Sequence, residues 1–192
     1  PWFLNHHKQI FDHGVMIDYH STDNSVDIIK DICPTWDIVT SRNPDFQADN
    51  IDTEVMDIER DISGWKIALN VTEQLIGDYS ILADHSNQQL LIPSIFMIDV
   101  DHGTDQVADP NKPLYEQYKY GFSFKDGEPQ FLERRARSMH NFEVFYPPHN
   151  TAECMGPGRH FHTYNTDQLV TLYWGWCPWD QGQQERKTQI QT

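Results

Sequence analysis

Apolar Phe3, Ile10 and Phe11, with polar residues between them, give Trp2 to Phe11 a helical arrangement, and His13-Gly14 supplies the stop that a left-handed C-cap favours. Val15-Met16-Ile17-Asp18-Tyr19 follows as a short buried strand. The loop His20-Ser21-Thr22-Asp23-Asn24-Ser25 consists of residues whose side chains bond nearby backbone amides, so it reads as a turn that ends by capping a helix. Val26 to Cys33 is that helix, Pro34 stops it, and Trp36-Asp37-Ile38-Val39-Thr40 is the next strand. Strand, polar loop, short helix, proline and strand make a βαβ unit, whose crossover demands two parallel neighbouring strands. The fold class is therefore α/β, and the site is expected beyond the carboxyl ends of the strands, at the loop from His20 to Asn24.

Further along, Asp45 to Arg60 is acidic with apolar Ile51, Val55 and Ile58 at helical spacing, a solvent-faced helix. Trp65-Lys66-Ile67-Ala68-Leu69 reads as a third strand, ending in the polar loop Asn70-Val71-Thr72-Glu73. Leu90 to Val100 is the most apolar stretch and reads as a strand pair or a strand bent at Pro93. Residues 103–130, rich in Pro, Gly, Lys and Tyr, read as a long excursion. Phe142 to Tyr146 and Leu169 to Trp174 are the remaining strand candidates, and Asp180 to Thr192 is a polar tail. There is no internal repeat, so residues 1–192 read as a single domain.

Charge narrows the choice of partners. The net charge is −15, and all of it sits in residues 1–110, which hold 20 Asp/Glu against 5 Lys/Arg; residues 111–192 hold 9 of each. So acidic a surface repels a nucleic-acid backbone, which excludes that partner, while a small phosphate-bearing ligand remains compatible with a local arginine cluster. No apolar run approaches the roughly 18 residues of a membrane span, and Pro1 to His7 lacks the layout of a secretory leader. Cys33, Cys154 and Cys177 are odd in number and lack CxxC spacing, which indicates neither a disulfide framework nor a zinc ribbon. A cytoplasmic location is the expectation.

Several constellations bear on chemistry. A carboxylate such as Asp23 beside a parallel-strand end suits a ribose hydroxyl or a base edge, and a second acidic loop suits a cation held against a diphosphate. Taken singly, each loop reads first as an ordinary capping turn, and the functional reading needs the two together. Arg134, Arg135 and Arg137 offer paired donors to phosphate, or else partners for the acidic first part of the chain. Asp99-Val100-Asp101 is a D-x-D at a strand end, although the sequence lacks the last acidic ligand of a calcium loop. His160 and His162 alternate by two, so on a strand both face one side. Trp174, Trp176 and Trp179, with Tyr164, are either core or a stacking surface for sugar rings.

Three segments together resemble family-2-type glycosyltransferases of the kind found in bacteria and large DNA viruses. They are His6-His7-Lys8-Gln9-Ile10-Phe11-Asp12-His13-Gly14, the loop Asp18-Tyr19-His20-Ser21-Thr22-Asp23-Asn24-Ser25, and Gly64-Trp65-Lys66-Ile67-Ala68-Leu69-Asn70-Val71-Thr72-Glu73. Gly158-Arg159-His160 and Tyr173-Trp174-Gly175-Trp176-Cys177-Pro178-Trp179 extend the likeness toward the end of the chain.

The resemblance implies a GT-A (Rossmann-like) fold, a mixed and mainly parallel sheet flanked by helices. It also implies a nucleotide-sugar donor such as a UDP-sugar, a glycan or glycoprotein acceptor, a divalent cation (Mn²⁺ or Mg²⁺), and inversion at the anomeric carbon. Asp18, Ser21, Asp23, Asn70, Thr72, Arg134 and Arg159 would then hold the nucleotide-sugar, and Glu73, His160 and His162 the metal. Asp101 is the candidate general base, with Glu133 the second. The sequence departs from the family where D-x-D is expected: Asn70-Val71-Thr72 leaves Glu73 as the loop's only carboxylate. It also begins after the place where the family's first strand lies. Two other readings remain open, a non-catalytic nucleotide- or glycan-binding domain and an acidic β-rich structural protein of a virion.

Overall fold

The computed structural model describes residues 1–44, 47–84, 89–100, 108–123, 136–141, 166–183 and 185. The chain opens with helix α1 (Trp2–His7), strand β1 (Val15–Asp18), helix α2 (Ser25–Ile32) and strand β2 (Asp37–Thr40). β1 and β2 pair in parallel, Val15 opposite Asp37 through Asp18 opposite Thr40, so the βαβ unit read from the sequence is present. Its core is Leu4, Ile29 and Cys33, packed by Met16, Trp36 and Ile38.

Gly14 plays a different part from the cap expected of it. α1 ends at His7, well before it, and Gly14 does not adopt a left-handed conformation. The Trp36 ring lies directly over it, where any Cβ would overlap the indole.

Helix α3 (Ala48–Arg60) is acidic as read, but it does not simply face solvent. Ile51 and Met56 are buried, and so are Glu54 and Glu59. Glu54 ties down the loop after β2, accepting from the Ser41 hydroxyl at 2.7 Å, the Arg42 amide at 2.7 Å and Asn43 Nδ2 at 2.8 Å. Burial alone would push this carboxyl up, but the three hydrogen bonds hold it below the usual carboxylate range.

The remaining strands are β3 (Lys66–Ile67), β4 (Glu73–Gly77), β5 (Gln89–Ile98), β6 (Tyr120–Phe122), β7 (Ala136–His140) and β8 (Leu169–Tyr173), with the short helix α4 (Leu114–Gln117) before β6. They form a second sheet of order β3-β7-β5-β8-β4, with β6 also paired to β5. β5 is a single strand that changes partner after Pro93. Gln89–Pro93 pair antiparallel with β7, and Ser94–Phe96 pair parallel with β8.

The architecture is thus mixed α/β, and the expectation of a mainly parallel sheet is corrected. Every described pairing in the larger sheet except β5 with β8 is antiparallel. Parallel neighbours need long crossover connections, and among the described residues between α3 and β8 the helices are short, the 3-10 turn Tyr79–Ala83 and the four-residue α4. Helices α2 and α3 also stand against an all-β architecture.

β7 is buried at every position despite carrying Arg137, Ser138 and His140. Each has a polar partner from elsewhere in the chain: Glu73 for Arg137, Gln89 Nε2 at 2.7 Å for Ser138, and Glu59 Oε1 at 3.6 Å from His140 Nε2. The first two contacts are hydrogen bonds, which let Arg137 and Ser138 occupy a core strand, whereas His140 and Glu59 face each other beyond hydrogen-bond distance.

Candidate functional site

The loop after β1 is exposed from Tyr19 to Asn24, and it is shaped by its own carboxylates. Asp18 Oδ1 accepts from the Ser21 amide at 3.1 Å, and Asp23 Oδ1 accepts from the Ser25 amide at 2.9 Å. Hydrogen bonds from the Ser25 side chain and backbone hold the Asp23 carboxyl below its ordinary value, so it is an anion at the mouth of the βαβ unit. His20 between them adopts φ 57°, a left-handed conformation that is uncommon for a residue with a Cβ. The Ser41 amide donates to the Asp18 carbonyl at 2.8 Å, which binds the loop after β2 to the end of β1.

The second loop, Asn70 to Glu73, leads into β4. Asn70 and Thr72 are half-buried and Val71 is exposed. Glu73 is buried, and both carboxylate oxygens are engaged. Oε2 accepts from the Asn70 amide at 2.9 Å, closing the loop on itself. Oε1 accepts from Arg137 Nε at 3.0 Å and from Arg137 Nη2. Since β4 and β7 are not neighbours in the sheet, this pair bridges across it. Arg137 therefore turns inward to the acidic part of the chain, one of the two roles its sequence position allowed.

The two histidines of α1 join these parts. The Leu75 amide donates to His7 Nε2 at 3.2 Å, and His6 Nε2 lies 2.7 Å from the Leu75 carbonyl. His7 Nδ1 lies 3.0 Å from the Phe3 carbonyl, so the neutral ring donates there and accepts from Leu75. Burial and neighbouring His6 push the His7 ring down to about 3, against the raising effect of the Phe3 bond. α1 thus covers the outer edge of β4 with side-chain imidazoles in place of another strand.

A cavity of about 500 Å³ lies between the βαβ unit and the larger sheet. Ser25, which closes the first loop, and Thr72, from the second, both line it. Its walls are mainly apolar, with Met16 and Ile29 on one side and Trp174 and Cys177 on the other. Burial and the Asp99 carboxylate push the Cys177 thiol up to about 12, so it is no thiolate at neutral pH.

Of the residues expected at a site, Asp18 ends β1 and Ser21 and Asp23 fall in the loop after it, while Asn70 and Thr72 lie in the second loop and Glu73 opens β4. Asp101, Glu133, Arg134, Arg159, His160 and His162 lie outside the described residues, as do Tyr164 and the strand expected at 142–146. Trp174 is core, whereas Trp176 is exposed and lies against Trp179 with ring centroids 5.7 Å apart. Gln74 escapes a reading by motif, because it stands next to the loop rather than in it. Its only signal is a polar residue inside an otherwise buried strand segment.

Among the described residues no group of three His, Cys, Asp or Glu is placed to hold a metal ion, and no helix is long and apolar enough to cross a membrane. Comparison of the chain with protein-family models, curated proteins and solved structures finds none that matches.

Proposed function

We propose that the chain is a glycosyltransferase domain of GT-A type that moves a sugar from a nucleoside-diphosphate donor, such as a UDP-sugar, to a hydroxyl of a glycan or glycoprotein. The observation that supports this reading best is the meeting of the two candidate loops at one cavity, through Ser25 and Thr72. The first loop stands at the carboxyl end of a parallel strand, where open α/β sheets take ligands. There the anionic Asp18 and Asp23 suit ribose hydroxyls, and Ser21, Asn70 and Thr72 add neutral polar groups.

The chemistry is direct displacement. A carboxylate, Asp101 or Glu133, takes the proton of the acceptor hydroxyl as the acceptor oxygen bonds to the anomeric carbon. The bond from that carbon to the diphosphate oxygen breaks on the opposite face, and the nucleoside diphosphate leaves with the electron pair. Arg134 and Arg159 supply fork-shaped donors for the charge it gains.

Mn²⁺ or Mg²⁺, with His160 and His162, belongs to the expectation. The Asn70 to Glu73 loop does not fit that cation, since its one carboxylate is already shared between Asn70 and Arg137. No step is therefore routed through a metal at Glu73. The same commitment favours one second reading, nucleotide or glycan binding without turnover.

Isothermal titration of nucleotide sugars and free nucleoside diphosphates, with and without Mn²⁺, followed by product analysis with an acceptor panel, tests both. The expected result is binding of one nucleotide series and release of its nucleoside diphosphate with inverted product. Binding without turnover in the presence of Mn²⁺ selects the second reading. No binding in either condition overturns both, and retained anomeric configuration overturns the displacement mechanism.

A further inference from the structure

The cavity has two polar atoms that the rest of the fold leaves unanswered. Gln74 is 2% exposed and Trp174 is 4% exposed, and both line the cavity. Among the described residues, Gln74 Oε1, an acceptor, and Trp174 Nε1, a donor, have no hydrogen-bond partner. Beside them on the same two strands, Glu73 is met by Arg137 and Thr171 by Ser94 at 2.7 Å. Leaving a buried donor or acceptor unmet carries the full loss of its hydration, so such atoms in native proteins call for a specific reason.

The cavity's size and lining restrict what would meet them. A volume of about 500 Å³ falls within the roughly 300–1,000 Å³ of small-molecule sites, where apolar walls and a few placed polar groups set specificity. Among the described residues no Lys, Arg or His side chain lines it, and Asp180 is the one acidic side chain that does. A phosphate or other anion is therefore disfavoured inside. The fitting ligand is neutral and flat enough to lie between apolar walls. It presents a donor to Gln74 Oε1 and an acceptor to the Trp174 indole N–H.

We propose that this cavity binds a neutral heterocycle carrying a lactam edge, an N–H beside a C=O, as in a uracil-type base, with Gln74 and Trp174 reading that edge. Its being the base of a sugar donor rests on the proposed function; the recognition itself does not. The ribose of such a donor then lies at the mouth of the cavity, toward the loops that carry Asp23 and Thr72, with its diphosphate beyond them. Gln74 and Trp174 thereby become the recognition pair: methylation of the base at N3 removes its ring N–H and leaves the Gln74 acceptor unmet.

The test uses the chain as it stands and uridine, which carries neither phosphate nor transferable sugar. Its titration to millimolar concentration is followed by the indole N–H resonances in ¹H–¹⁵N spectra, with the Trp174 signal assigned by Trp174→Phe. The expected result is a saturable shift of the Trp174 resonance with uridine and not with 3-methyluridine, which lacks the ring N–H. Gln74→Leu, which keeps the volume and removes the acceptor, should weaken uridine at least about tenfold.

The wild-type titration is decisive even where a variant fails to fold. If the Trp174 signal does not move, or 3-methyluridine moves it equally, the proposal is overturned and bound water answers the two atoms. If UDP binds while Trp174 stays unmoved, this proposal fails and the transferase reading survives. If uridine binds as expected but no nucleotide sugar is ever turned over, recognition stands and the transferase reading falls.

Discussion

Glu73 serves its own loop through the Asn70 amide and the opposite side of the sheet through Arg137. Both partners are nearly inaccessible, with side chains 6% exposed for Arg137 and 3% for Glu73. Removing one member of such a pair leaves an unmatched buried charge, a loss of about 3–5 kcal/mol, whereas replacing both with apolar residues of similar size costs far less. Urea denaturation of Arg137→Met and Glu73→Gln should show large single losses, and the double variant Glu73→Leu/Arg137→Met should recover much of them. Single variants within about 0.5 kcal/mol of wild type would show that the pair is not structural.

His7 gives a signed prediction in pH. Its folded value of about 3 lies below the ordinary 6.5, so between these limits the unfolded chain binds a proton that the folded chain refuses. Its contribution is therefore complete above about pH 6.5 and declines on acidification toward pH 3, by at most about 1.4 kcal/mol per pH unit. Chemical denaturation across this window should show the slope, and His7→Gln should flatten it. An unchanged slope in the variant would mean that His7 is not the group responsible.

At the scale of elements, α1 is the splice between the two sheets. Leu4 packs into the core of the βαβ unit, Trp2 contacts the cluster around Trp174, and His6 and His7 hold Leu75 at the edge of β4. Hydrogen exchange should therefore find the Leu75 amide protected in the wild type and faster in His7→Leu, while Ile38 in β2 changes little. Equal acceleration at both positions would indicate general destabilisation in place of a local clasp. Gly14→Ala introduces a methyl group beneath Trp36 and should lower stability by about 1–3 kcal/mol in thermal or urea melts. A neutral result would mean that the ring moves aside freely.

The elements legible in the sequence are those whose pattern is local. α2 is bounded by a polar turn and Pro34, β1 and β2 are short apolar runs beside it, and the bend in β5 is announced by Pro93. β4 and β7 were not legible for an equally physical reason. β4 starts on Glu73, which reads as part of a polar loop until Arg137 neutralises it. Ala136 to His140 contains an arginine, a serine and a histidine, a composition that suggests a surface. Only partners far along the chain, at Glu73, Gln89 and Glu59, allow it to be buried. The same dependence hid Gln74 and Trp174, because an unanswered polar atom is recognised only once its neighbours are known.

Across the whole molecule, the βαβ unit and the larger sheet are joined by α1 and separated by the cavity. The sequence located both loops and their carboxylates, but periodicity could not say that they open on a common space. The central claim is that this space and its two loops form one nucleotide site. The most direct measurement is a ¹H–¹⁵N amide map of the chain titrated with UDP. The account predicts that amides of Ser21 to Ser25 and of Asn70 to Thr72 shift together, with a single affinity and in step with the Trp174 indole. Shifts confined to one loop, shifts at unrelated surfaces, or no shift at saturating nucleotide would contradict it.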